Sequence, residues 1–242
     1  MINSIKRQFK KIKNNNLMRN SILVILIFSL FIVFKDLFVN TSVSKQGIDK
    51  WIYSNIMICN FILLHTISIF FITFIVQDEY ANRTIINYLP YLKHRYYFIM
   101  EKMIVWFVLH VIMTITTYLV ISIGSLFIFK TNNIIERLFY IGIRYLRTCI
   151  LGFMILSPVI ISTIKQRESY LRSIIIGIMS IICSVTLIQL DGILPFILPW
   201  SASLILSTGI ENPLSAFGLL SVIILFILSL LFSFRNIEKQ DL

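Results

Sequence analysis

Cysteine, histidine, alanine and glycine are all scarce in this chain of 242 residues. The three cysteines, Cys59, Cys149 and Cys183, show neither C-x-x-C pairing nor the ligand spacing of a zinc site, and each falls in or beside an apolar run. They are expected to be inert buried thiols. His65, His94 and His110 form no H-E-x-x-H pair and no convergent ligand set, which speaks against metal catalysis. None of the eight glycines begins G-x-x-x-x-G-K-[ST], the loop whose amides and lysine hold nucleotide phosphates. If ATP drives this protein, another polypeptide binds it. The few polar residues inside the apolar runs assemble no nucleophile with a partner base, so an intramembrane protease is disfavoured too.

What is abundant is apolar. Hydrophobic residues make up 57% of the chain, and the mean hydropathy is +0.87, the composition of an integral membrane protein. Apolar runs recur at 21–34, 52–76, 104–129, 149–164, 173–190 and 214–234. A bilayer core takes about 20 residues of helix, so these predict six transmembrane helices, the first completed by carrying it through Lys35 and Asp36. Barrel strands would instead be alternating segments of about ten residues, so the expected class is an all-α integral membrane fold. With the N-terminus inside, fifteen of the 22 Lys and Arg residues fall on the cytoplasmic side and seven on the other. The positive-inside rule therefore predicts cytoplasmic termini. This asymmetry and anionic membrane lipids account for the net charge of +11, with no nucleic acid partner required. No internal repeat or linker divides residues 1–242, so a single membrane domain is expected.

Three segments between or beside the spans carry the pattern. In residues 1–19, Ile2, Ile5, Phe9 and Ile12 recur at helical spacing among basic residues, predicting an interfacial amphipathic helix that is retained and not cleaved. Residues 77–102 join spans two and three through far more chain than the roughly 2–8 residues of a simple helical connection. Here Asp78 and Glu79 precede Tyr80, Ile85, Ile86 and Leu89, and Pro90 follows. That order predicts a short cytoplasmic helix lying across the membrane face, ended by proline, with a second leg carrying Arg95 and Lys102 into the third span. Residues 189–213 hold Pro195, Pro199, Trp200 and Pro213 in a stretch too apolar for a solvated loop, which predicts a re-entrant extracellular hairpin. A Trp anchored at the interface by ordinary packing is the plainer alternative. Ahead of the fourth run, Arg137, Arg144 and Arg147 share one broad face if the segment is helical. They fit either snorkelling to lipid phosphate or recognition of an anionic headgroup on a lipid or substrate.

Residues 79–102 resemble the type-2 ABC exporter permeases. That family carries, after its second span, a pattern written roughly E-x-x-x-G-T, then Leu and Pro, then a basic residue, an aromatic and a Lys. The matches are Glu79, Thr84, Leu89, Pro90, Arg95, Phe98 and Lys102, with Arg83 where glycine is usual. The Pro199–Trp200 element looks most like the small permeases of bacitracin-resistance and lantibiotic-immunity systems. The resemblance implies a non-catalytic permease subunit in a bacterial cell membrane that exports an amphipathic peptide. It further implies that ATP and magnesium are held by a separate cytoplasmic P-loop ABC ATPase, and that the permease is completed by a second copy or a paralogue. Coupling would run through Asp78, Glu79, Thr84, Ile85, Ile86, Leu89, Pro90, Arg95 and Lys102, with Glu79 pairing with a basic patch on the ATPase. Arg137, Arg144, Arg147 and Trp200 would be substrate or lipid contacts. A non-transporting immunity or sensor protein would share the topology but would need no ATPase dock.

Overall fold

The computed structural model describes residues 8, 10, 16–38, 47–85, 89–92, 94–129, 133–165, 170–209 and 213–239. Every regular element among them is helical. Six helices are long and apolar enough to cross a membrane: α1 (Asn16–Phe38), α2 (Ile48–Ala81), α3 (Tyr96–Ile128), α4 (Ile134–Lys165), α5 (Leu171–Gln189) and, last in the chain, α8 (Ser215–Glu238). Between α5 and α8 lie two short helices, α6 (Leu194–Ile197) and α7 (Pro199–Thr208). The predicted interfacial helix falls almost wholly outside the described residues, as do Ile86 and positions 210–212.

The helices overrun the apolar runs, because interior partners let charged residues stay helical. α3 begins at Tyr96, eight residues ahead of its run, and α4 begins at Ile134 and so takes in all three arginines. α2 continues through Asp78 and Glu79 to Ala81, where the sequence reading starts a new transverse helix. Glu79 closes α2 because its charge is neutralised inside the bundle. Breaks follow the residues that cannot sustain a helix. α4 bends at Leu156–Ser157, ahead of Pro158, whose ring and missing N–H interrupt the ladder. α7 opens on Pro199 at its first turn and closes on Gly209. Within α2, residues Ile56–Leu64 form a π-helix, a wider turn that leaves backbone carbonyls open to side chains. His65 Nδ1 lies 3.0 Å from the Phe61 carbonyl there, and Thr117 of α3 donates to Asn60 Oδ1 at 3.0 Å.

α1 packs chiefly on α3, α3 on α4, and α5 on α2 and the second half of α4. α7 lies buried between α4, α5 and α8. Helices in lipid gain little from burying apolar surface against each other, so close approach and internally satisfied polar groups decide their packing. With alanine nearly absent, serine and threonine take the small positions. Ser125, Ser180, Ser229 and Ser233 are buried, each donating to a carbonyl three or four residues back at 2.7–2.9 Å, so these four hydroxyls are satisfied within their own helices. A G-x-x-x-G stripe is absent from the sequence, and single glycines stand at the crossings instead. At Gly124 a β-carbon would lie 2.6 Å from Val33 Cγ1, which sets the α1–α3 approach.

Gly124→Ala is expected to lower stability by about 1–3 kcal/mol through overpacking, and adding Val33→Ala is expected to restore most of it. Thermal unfolding of the detergent-purified single and double variants measures this coupling directly.

Candidate functional site

The polar island of residues 77–102 is tied into the end of the bundle where α2 and α4 finish, α3 begins and α8 ends. Lys102 Nζ lies 2.5 Å from Glu79 Oε1. Gln8 bridges the pair, accepting from Lys102 at 3.0 Å and donating to Glu79 at 3.3 Å. Glu79 and Lys102 are 4% and 2% exposed, and the Phe98 ring lies 5.3 Å from the ammonium. Attraction at that distance is worth about 7 kcal/mol at an effective dielectric near 20. Removing two ions from water costs several kcal/mol each. The two nearly offset, so the pair specifies an arrangement more than it adds stability.

Further bonds anchor the same junction. Gln77 Nε2 donates to the Thr163 carbonyl at 3.1 Å and the Tyr80 hydroxyl to the Ile164 carbonyl at 3.4 Å, so α2 satisfies last-turn acceptors of α4 that have no intrahelical partner. Arg95 does the same for α8, donating to the Glu238 carbonyl at 3.2 Å. Thr84 Oγ1 donates to the Glu79 carbonyl at 3.2 Å and closes the turn after α2. Arg83 within that turn has φ +52. This is the left-handed conformation that glycine adopts without strain, and Arg83 is the position where the resembled pattern has glycine.

Of the sequence-predicted coupling residues, Glu79 and Lys102 meet each other inside the bundle, and Ile85 and Leu89 are buried at 2% and 1% exposure. Asp78, Thr84 and Pro90 are exposed, together with Asn82 and Arg83. Glu79 therefore pairs within this chain, while the outward surface is the turn around Asn82 and Arg83. Ile86 lies outside the described residues.

The arginines of α4 part company. Arg137 is buried, and its guanidinium donates to the carbonyls of Ser125 and Phe129 at 2.9 and 2.7 Å, capping the end of α3. Arg144 contacts the Tyr140 hydroxyl and lies 3.3 Å from Asp49. Arg147 is exposed. Trp200 sits at the start of α7, and its indole N–H has no partner among the described residues.

The sequence treated His65 and His110 as isolated, yet the structure brings them together in the middle of the bundle, ring centroids 5.6 Å apart. The Trp106 indole donates to Ser68 Oγ at 2.7 Å, and that oxygen lies 3.1 Å from His110 Nδ1. A β-carbon at Gly152 would lie 2.2 Å from His65 Nε2, so the glycine makes the notch in α4 that admits the ring. No local spacing signals this cluster, because its members come from three helices. No group of three His, Cys, Asp or Glu residues able to hold a metal occurs among the described residues.

Residues 4–184, well over half of the chain, match the sequence model of the family described as ABC-2 family transporter protein. No curated protein matches the chain.

Glu79→Ala is expected to destabilise the protein by about 3–5 kcal/mol, because it removes the carboxylate that neutralises a buried ammonium. Replacing both ions, Glu79→Leu with Lys102→Met, is expected to recover most of that loss. Denaturation midpoints of the purified single and double variants check it, and equal losses in both would contradict the pairing.

Proposed function

The chain belongs to the ABC-2 transporter family, and from that premise we propose that it exports an amphipathic peptide, in peptide-antibiotic or lantibiotic self-protection or in toxin release. Its class is a membrane subunit of an ABC transporter, a non-catalytic role in which ATP is hydrolysed on a separate subunit. The observation that carries the reading is the exposed polar turn from Asp78 to Thr84, held in place by the buried Glu79–Lys102 pair. Four helix ends converge behind it, so a push on this turn is delivered to α2, α3, α4 and α8 together. The ATPase docks on Asp78, Asn82, Arg83 and Thr84, and Ile85 and Leu89 back the turn from within. ATP and magnesium stay with that partner, and a second copy or a paralogue completes the pathway. The termini and the docking turn face the cytoplasm of a bacterial cell, and α6 with α7 forms a re-entrant element at the outer end.

Cargo chemistry follows from the surfaces that face lipid. A groove of about 440 Å³ lies between α1 and α2, walled by Leu17, Val24, Phe70 and Phe74, with Asn20 and Ser21 at its edge. Apolar walls with a polar edge suit an amphipathic segment that enters sideways from the bilayer. A pathway for small ions would need polar or charged rings along the span faces.

Purified from its native membrane, the tagged chain is expected to bring down a P-loop ATPase in stoichiometric amount, its hydrolysis stimulated by amphipathic peptide. Exchanging the exposed contacts, Asn82→Trp or Arg83→Glu, is expected to weaken that association about tenfold or more while leaving membrane insertion intact. Recovery of the chain with no ATPase would overturn the reading and favour a sensor or immunity protein.

A further inference from the structure

α4 carries three arginines, and only Arg147 is left to face outward without a hydrogen bond or ion pair among the described residues. It lines a groove of about 450 Å³ between α4, the end of α7 and the start of α8, with walls that include Leu146, Ile150, Leu206 and Leu219. Arg144 reaches the same place. A β-carbon on Gly209 would lie 3.7 Å from both Arg144 Nε and an Arg147 terminal nitrogen, so two guanidinium groups flank one point at the groove's head.

Among the described residues, the charge at that point is unbalanced. Of the described carboxylates only Asp49, from the start of α2, is paired there, 3.3 Å from Arg144. The C-terminus of α7 adds about half a negative charge. Among the described residues, two full positive charges stand against roughly one and a half negative, an excess that an anion neutralises.

Depth identifies the anion. Counted back from Lys165, twenty residues of α4 reach Leu146, which at 1.5 Å per residue is about the 30 Å thickness of the hydrocarbon core. With Lys165 taken at one membrane surface, that length brings Arg147 close to the headgroup layer of the opposite leaflet, with the apolar walls beside it toward acyl-chain depth. We infer that this groove binds one anionic phospholipid, its phosphate on Arg147 and Arg144 and an acyl chain along Leu146, Ile150, Leu206 and Leu219. The site is independent of the exported cargo and stands whether or not that cargo is a peptide.

The test uses the full chain reconstituted in vesicles of equal phosphatidylglycerol and phosphatidylcholine, re-extracted and weighed by native mass spectrometry. The wild type is expected to retain one phosphatidylglycerol per chain, about tenfold over phosphatidylcholine, as charge-assisted bonds to phosphate warrant. Arg147→Ala, an exposed position, is expected to bring that ratio near one. Ile150→Trp, which fills the groove from its exposed wall, is expected to reduce retention of both lipids, with each variant eluting as the wild type does. An equal ratio in the wild type, or an unchanged ratio in Arg147→Ala, would overturn the inference. Displacement of the lipid by excess inorganic phosphate would show a free-anion site instead, and a second copy of the chain in place of lipid, released by Ile150→Trp, would make the groove a dimer contact. Either result overturns it.

Discussion

A bilayer offers no water to a buried charge, and the Glu79–Lys102 pair is where two ions of this chain meet that constraint together. Both ions lie inside the bundle at the junction of α2 and α3. Each is made tolerable there by the other and by Gln8, which bridges them. From that pair the local geometry follows. α2 stays helical to Ala81, the chain turns through a left-handed Arg83, and Thr84 bonds back to the Glu79 carbonyl. The exposed face of the turn is held to the bundle by contacts on its hidden side. A rigid mount of this kind transmits a push better than a solvated loop, which would absorb it.

The same requirement recurs at smaller scale throughout the bundle. Arg137 spends its charge on the open carbonyls at the end of α3. Asp36, itself buried, accepts from the Trp51 indole at 2.8 Å and joins the end of α1 to the start of α2. Serine hydroxyls bond within their own helices, and glycines open the space that larger neighbours fill. Polar residues in a membrane interior are costly and need partners, and here most of those partners lie in a different helix or one turn back in the same one.

The six spans were legible in the sequence because the bilayer imposes a length and a hydropathy that every crossing segment must meet. Of the residues that break or open helices, Pro90 and Pro199 were singled out in the sequence, while Pro158 and Gly209, which interrupt α4 and close α7, were not. Pairing between helices was not. Glu79 and Lys102 are 23 positions apart; Glu79 was read as pairing with an external partner and Lys102 as part of the leg entering the third span, since nothing in a single span's periodicity says that two charges on neighbouring spans meet. The meeting of His65 and His110 escaped notice for the same reason, and Gly152, whose missing side chain admits one of them, carries no signal of its own. The three arginines share a helical face at the level of spacing, yet their roles divide according to what lies opposite each: a helix end for Arg137, a tyrosine and an aspartate for Arg144, an apolar groove for Arg147.

The most direct test of the account places a photoactivatable cross-linker on a cysteine at position 82, Asn82→Cys, with Cys59, Cys149 and Cys183 changed to serine, in native membranes. The account predicts a single strong adduct with a P-loop ATPase, lost when Glu79→Gln loosens the mount although residue 82 itself is unchanged. Adducts with lipid alone, or an ATPase adduct indifferent to Glu79→Gln, would contradict it.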